Sequence, residues 1–165
     1  MYVREYLTEQ KIPFEMILHR PTITASRMAR AVHVSGRRVA KSVLLRGETG
    51  FVLAVLAATH RVDLPRLRVV LGHHELRLAS EAELGEVFSD CQPGAMPPLG
   101  RKYGVCTVLD RSLESSSEIV FEGNQTHEAV RIRLADYEAI ESPLRADFAE
   151  EIRLTGKPAT RPGVA

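Results

Sequence analysis

The chain contains no run of about 18 apolar residues, and so no segment able to cross a bilayer as a helix. Its start, Met1-Tyr2-Val3-Arg4-Glu5-Tyr6, mixes charge and aromatic residues and lacks the apolar stretch of a signal peptide. Together these absences lead to the expectation of a cytoplasmic protein. Cysteine is scarce. Cys91 and Cys106 are the only two, and in a reducing compartment they read as free thiols rather than a disulfide. There is no internal repeat and no Gly-x-Ser-x-Gly nucleophile elbow. Metal-ligand spacings such as His-x-x-x-His or Cys-x-x-Cys are missing. His73-His74 is a pair, but adjacent helical residues do not face one site, so it reads as a surface pair, and neither metal nor cofactor is expected.

What is present is an ordinary soluble composition for about one domain: 44% apolar residues, 26% charged and a net charge of +1. The charge is unevenly spread. Residues 1–46 hold nine Lys/Arg against three Asp/Glu, and residues 47–165 hold thirteen against eighteen. Such a local basic block, here with Arg20, Arg27, Arg30, Arg37, Arg38, Lys41 and Arg46, can hold a phosphate backbone whatever the global charge. From charge alone a solvated helix face remains open.

Periodicity and turn residues predict helices at Val3 to Gln10, at Ala25 to His33 behind the N-cap Thr24, and from Asp63 to about Leu71 with Gly72 just beyond. A further helix opens at Ser80 with Glu83 in the capping-box position, and another spans Asp136 to Ile140. Strands are expected at Phe14 to Leu18, Val105 to Leu109, Ile119 to Phe121 and Ala129 to Ile132, with Asn124-Gln125 in the turn between the last two. Val39 to Arg46 and Phe51 to Ala57, separated by Gly47-Glu48-Thr49-Gly50, read as a hairpin. Cys91 to Gly100 carries three prolines and two glycines and reads as a constrained loop. From Thr155 the composition predicts a frayed tail, which leaves residues 1–154 as one domain. Strands and helices mix without strict βαβ alternation, so the class is α+β.

Lys41 sits in the apolar run Val39–Leu45. Alternation sets it on one face with Val39 and Val43, and sets Ala40, Ser42 and Leu44 on the other. An ammonium there must snorkel, pair or line a pocket. Gly36-Arg37-Arg38-Val39-Ala40-Lys41-Ser42 ends in Lys-Ser, as a nucleotide-binding P-loop does. That loop needs glycine where this chain has Ala40 and Ser35, and a strand follows in place of a helix, so a nucleotide site is rejected.

Four motifs follow in order: His19-Arg20-Pro21-x-x-Thr24-Ala25-Ser26-x-x-Ala29; Gly36-Arg37-Arg38-Val39-Ala40-Lys41-Ser42-Val43; Gly94-Ala95-Met96-Pro97-Pro98-Leu99-Gly100; and Phe121-Glu122-Gly123 through His127-Glu128-Ala129-Val130-Arg131-Ile132. In this order and spacing, over roughly residues 1–141, the chain resembles the YbaK / prolyl-tRNA synthetase-associated editing-domain family. The resemblance implies a mixed β-sheet or distorted barrel surrounded by helices. It implies a trans-editing deacylase that hydrolyses the ester of a mischarged small amino acid on tRNA, with aminoacyl-tRNA and an aminoacyl-tRNA synthetase as partners. The family's lysine falls on Lys41, and its Gly-x-x-x-Pro loop on Gly94 with Pro98 closing it. Ser42 stands where family members vary among Thr, Asn and Ser, which leaves the amino acid open. The turn Gly123-Asn124-Gln125-Thr126-His127 runs one residue out of step with the family's Gly-x-His pattern.

Such an ester needs little activation. Backbone amides of the Gly94–Pro98 loop would form an oxyanion hole, and Lys41 would hold the terminal phosphate or the carbonyl. The resemblance implies that the neighbouring ribose hydroxyl positions the attacking water, so no Ser-His-Asp set is required. Lys41 and Gly94 are thus the candidate catalytic residues. Thr24, Met28, Ser42, Ala95, Met96, Pro98, Asn124 and His127 are the candidate substrate contacts, with Met28 and Met96 as walls of a steric sieve. Arg27, Arg30, Arg37 and Arg38 are the candidate tRNA contacts. One spatial condition attaches: Lys41 and the loop amides must open into one cavity. Two other functions remain open, a non-catalytic RNA- or protein-binding module with the same fold and a hydrolase of small aminoacyl esters.

Overall fold

The computed structural model describes residues 1–153, so the expected tail lies outside the described residues. Five α-helices are described: α1 (Val3–Glu9), α2 (Ala25–Ala31), α3 (Leu64–Leu71), α4 (Glu81–Val87) and α5 (Leu134–Glu141). The strands are β1 (Glu15–Leu18), β2 (Ala40–Gly47), β3 (Gly50–Ala57), β4 (His60–Val62), β5 (Leu76–Leu78), β6 (Cys106–Asp110), β7 (Glu118–Glu122), β8 (Glu128–Arg133), β9 (Leu144–Ala146) and β10 (Ala149–Glu151). The α+β class holds.

Local chemistry explains the helix ends. The Thr24, Asp63 and Ser80 side chains accept from the amides of Arg27, Arg66 and Glu83, and Ser80 with Glu83 completes a capping box. Gly72 ends α3 in the left-handed conformation. α2 stops at Ala31, short of the expected His33. His33 itself is left-handed (φ +57), and a 3-10 turn at Gly36–Arg38 leads into β2.

Strands β5-β2-β3-β6-β9 form a mixed five-stranded sheet, in which β3 and β9 flank β6 in parallel. β3 is its centre, and its residues from Val52 to Ala57 are all buried, as a near-continuous apolar run requires. Leu53, Val55 and Ala57 face the main core with Ala40, Leu44, Leu99, Leu109, Phe121 and Tyr137. Val52, Ala54 and Leu56 face a second cluster with Leu45, Leu67 of α3 and Phe148. Strands β1-β8-β7 form an antiparallel sheet, one face of which α2 covers by packing Met28 and Ala29 against Val120 and Ala129. Full burial of Met28 contributes roughly 2 kcal/mol. The two sheets touch through one parallel bridge, Val39 to Val120, and do not close into a barrel.

The three-residue strands β4, β5, β9 and β10 went unread in the sequence. They are too short to show a period, and tertiary pairing alone makes them strands. β10 pairs with β4, and the buried Asp110 carboxylate accepts from the amides of Phe148 and Ala149 at 2.8 and 3.0 Å to hold that segment in place. His73 is a scaffold residue, its Nδ1 3.1 Å from Glu48 on the β2–β3 turn. Cys91 and Cys106 are free.

Candidate active site

Three loops converge at one end of the three-stranded sheet: His19 to Thr24 after β1, Cys91 to Gly100, and Gly123 to His127 between β7 and β8. Hydrogen bonds tie them together. The Thr22 amide donates to the Thr126 carbonyl and the His19 amide to the His127 carbonyl, each at 2.9 Å. The Gln92 amide donates to the Asn124 carbonyl at 2.8 Å, and Gln92 Oε1 accepts from the Thr126 amide at 2.8 Å. Gly94 has φ +86, and a Cβ there would stand 3.0 Å from the Ile23 carbonyl oxygen, so the position favours glycine on both counts. The prolines fix φ on either side. The Tyr137 hydroxyl, buried, donates to the Pro98 carbonyl at 2.7 Å. Within this rigid loop the Ala95 amide is taken by the Gln92 carbonyl, whereas the Gly94 and Met96 amides meet no acceptor among the described residues. Free N–H groups on a preorganised loop are what an oxyanion site needs.

Beside the loop lies a hollow of about 300 Å³, lined by Leu84, Phe88, Cys91, Gly94 and Met96 among others. Cys91 is no nucleophile: burial, above all, pushes its thiol up to about 11. Burial also works against the neighbouring Asp90 carboxylate. Lys102 at 3.0 Å and the Tyr103 hydroxyl at 2.8 Å outweigh it and hold that pKa below its ordinary value. Asn124, buried with φ +79, is engaged by the scaffold. Its Oδ1 accepts from the Val3 amide at 2.8 Å, and its Nδ2 donates to the Tyr103 oxygen at 3.3 Å. The Thr24 hydroxyl caps α2, Ala95 and Pro98 are buried, and His127 lies on the rim near Glu128.

Lys41 is half-buried in β2 opposite Leu56, with no hydrogen bond or ion pair among the described residues. Burial lowers its pKa from the ordinary ammonium value. Its phase is that of Val43, Leu45 and Leu56. Ser42 has the opposite phase, shared with Ala40, Leu44 and Val55, whose core also takes Leu99 and Met96. The Ser42 hydroxyl is buried there without a partner. Lys41 is not part of the lining of the hollow beside Gly94; of the two residues, Ser42 has the phase that meets the loop.

The outer edge of β2 is paired by β5 only from Leu45 to Gly47. Nearer its start, β7 comes alongside at the Val39–Val120 bridge, and no ladder follows. Lys41 and Glu122 each lie two residues past that bridge, in the phase of Val39 and Val120. Glu122 is 5% exposed, both of its carboxyl oxygens are sealed from solvent, and neither has a partner. Burial pushes its carboxyl up to about 8. Sequence reasoning missed this residue, as it missed Gln92 and Tyr137. The available signal was alternation, which places Glu122 in phase with the apolar Val120.

Next to the same bridge a cleft of about 550 Å³ is lined by Arg37, Arg38, Arg131, His33 and the serines Ser35 and Ser115–Ser117. Arg27 and Arg30 lie apart from it on the exposed side of α2. Among the described residues no group of three His, Cys, Asp or Glu is placed to hold a metal, and no helix is long and apolar enough to cross a membrane.

Comparison with known proteins identifies the family. The multifunctional Ser/Thr-tRNA deacylase ProXp-y of Escherichia coli K12 is 35% identical over 103 residues, which are 62% of this chain and 61% of that protein. A proline–tRNA ligase of Xanthomonas axonopodis pv. citri is 31% identical over 101 residues, 61% of this chain but only 18% of the ligase. A solved structure provisionally assigned as a trans-editing enzyme for prolyl-tRNA synthetase superposes with a TM-score of 0.75 and 25% identity, over 83% of this chain and 87% of that one. The family model of the aminoacyl-tRNA editing domain matches residues 19–140, from the first of the three converging loops through β8 and into α5, and the chain belongs to that family.

Proposed function

We propose that this chain is a trans-editing aminoacyl-tRNA deacylase, which hydrolyses the ester joining a small amino acid to the terminal ribose of tRNA. One observation carries the reading: in a chain of the editing family, a loop held by its prolines, Tyr137 and Gln92 keeps the Gly94 and Met96 amides free. Water attacks the ester carbonyl, the bond from that carbon to the ribose oxygen breaks, and the oxygen takes up a proton. The products are the free amino acid and tRNA with its hydroxyl restored. Negative charge grows on the carbonyl oxygen in the transition state, and the two amides are its donors. Losing one such donor typically costs roughly 10²–10³ in rate. Lys41, outside the hollow beside Gly94, supplies a partly desolvated point charge for the terminal phosphate.

Selectivity in this reading is steric, with Met96 as a wall of the hollow and Thr24, Ser42, Ala95, Pro98 and His127 around the acyl group, while Met28 of α2 is fully buried and Asn124 is taken by the scaffold; a methylene is resolved by only about 1–3 kcal/mol. The Arg37–Arg38–Arg131 cleft supports a phosphate seat. Lys41 follows the bridge residue Val39 by two positions, about 7 Å of strand rise, within reach of one tRNA 3′ end. Arg27 and Arg30 would extend this basic surface. The likeness to a segment of a proline–tRNA ligase makes an aminoacyl-tRNA synthetase the candidate partner. The relative named a Ser/Thr-tRNA deacylase makes seryl and threonyl esters the first to try.

The test is deacylation of tRNA charged with Ala, Ser, Cys, Pro or Thr, run beside a small aminoacyl ester. At least one charged tRNA is hydrolysed in preference to the small ester, and Lys41→Ala lowers that rate at least about a hundredfold. No hydrolysis of any charged tRNA overturns the activity, and an unchanged rate in Lys41→Ala overturns the role of the lysine. The position of Lys41 outside the hollow beside Gly94 favours one second reading, a tRNA-binding module without turnover.

A further inference from the structure

β7 alternates between two environments. Ile119 and Phe121 enter the main core, while Val120 turns to the face that α2 covers and packs there with Met28, Ala29 and Ala129. Glu122 shares the phase of Val120. Ala129 stands directly opposite it in β8, and Ile17 stands beside Ala129 in β1. A carboxyl therefore sits on an apolar face, 5% exposed, with neither oxygen hydrogen-bonded or ion-paired among the described residues. An apolar side chain would fill this position at no desolvation cost, so a buried carboxyl left without partners points to a use.

The neighbouring loop is short of donors in the same way. His19 continues the alternation of β1 past Ile17, in register with His127. Its Nδ1 lies 2.7 Å from the Arg20 carbonyl oxygen and so carries the proton. Its Nε2 is then an acceptor, buried and unpartnered, and the Thr22 hydroxyl is buried and unpartnered as well. A buried carboxyl in want of donors suits a compact cation with several N–H groups, which describes an ammonium.

Every aminoacyl ester carries such a group one carbon away from its scissile carbonyl. Lys41 and Glu122 share a phase, each two residues past the Val39–Val120 bridge, after which β2 and β7 form no further ladder. An ester anchored by its ammonium at Glu122 would lie at the end of β7, where the following Gly123–His127 turn is tied through Gln92 to the loop that carries Gly94 and Met96. We propose that Glu122 receives the α-ammonium group of the aminoacyl ester, and that the site thereby selects acyl groups whose amine is free. This rests on the deacylase reading and names what that site recognises.

The experiment compares an aminoacyl-tRNA with the α-hydroxyacyl-tRNA made from it by nitrous acid, so that the amine alone changes. The wild type hydrolyses the aminoacyl ester at least about tenfold faster, and in Glu122→Gln and Glu122→Ala the ratio of the two rates falls toward one. A wild type without preference, or a ratio that survives in Glu122→Gln, overturns the proposal. A ratio that instead follows the hydroxyl of a seryl against an alanyl ester assigns Glu122 to the amino-acid side chain and overturns it too. Failure of the deacylase reading looks different, since the wild type then hydrolyses neither ester. Binding of non-hydrolysable 3′-amide adenosine analogues, with and without the α-amine, decides recognition in that event: loss of the amine weakens binding at least tenfold if Glu122 acts as proposed, and equal binding overturns it.

Discussion

Glu122 makes a measurable statement about stability. Burial moves its carboxyl from the 4.5 of an ordinary glutamate to about 8 in the folded chain. Below pH 4.5 the group is protonated folded or unfolded and adds nothing to the pH dependence. Between those two values the unfolded chain releases the proton and the folded chain keeps it. Stability present at low pH is therefore lost as pH rises, and the loss is complete once pH passes the folded pKa. Each unit is worth about 1.4 kcal/mol, so by pH 7 the wild type has lost about 3 kcal/mol to this one group. That is a large share of the roughly 5–15 kcal/mol that holds an ordinary domain together. Glu122→Gln keeps the shape and removes the titration. Urea denaturation at pH 4.5, 5.5, 6.5 and 7.5 gives the stability of both proteins, and their difference isolates Glu122. Glu141, whose pKa burial also raises, is present in both and cancels. The variant gains on the wild type by about 3 kcal/mol from pH 4.5 to 7. A difference that stays flat within about 0.5 kcal/mol across this range shows that the carboxyl has found a partner in solution, and refutes the reasoning.

Two further outcomes follow from the loops and the basic cleft. Gly94→Ala places a methyl group 3.0 Å from the Ile23 carbonyl at φ +86, so the loop shifts; single-turnover deacylation slows roughly a hundredfold while the circular dichroism spectrum stays that of the folded protein. Arg37→Ala and Arg38→Ala, which remove charge from the cleft, each reduce the slope of log K against log salt for tRNA binding by about one, and unchanged slopes place the phosphate seat elsewhere.

The parts of this molecule legible in its sequence are those whose cause is local. Glycine and proline act through their own φ, so the Cys91–Gly100 loop could be read directly, as could the caps at Thr24, Asp63 and Ser80 and the β2–β3 hairpin. Alternation separates Lys41 from Ser42, but it does not say which face of β2 will meet a loop some fifty residues downstream. Tyr137 supports Pro98 from 39 residues away, and nothing in its own neighbourhood announces that. Glu122 is the clearest case. A glutamate ending a strand is unremarked until the folded chain buries it, and its unusual state belongs to the assembled packing rather than to its neighbours in sequence.

The open seam between β2 and β7 ties the fold to the chemistry. Extending the ladder past the Val39–Val120 bridge would close the sheets toward a barrel and satisfy more edge backbone groups. It would also set Lys41 beside Glu122 in adjacent parallel strands about 4.8 Å apart, where ammonium and carboxylate would pair and neutralise each other. With the ladder broken after a single bridge, both groups stay desolvated and neither has a partner. An aminoacyl-tRNA end whose ammonium meets the carboxyl and whose terminal phosphate meets the lysine would occupy the place where the missing strand contact would have formed.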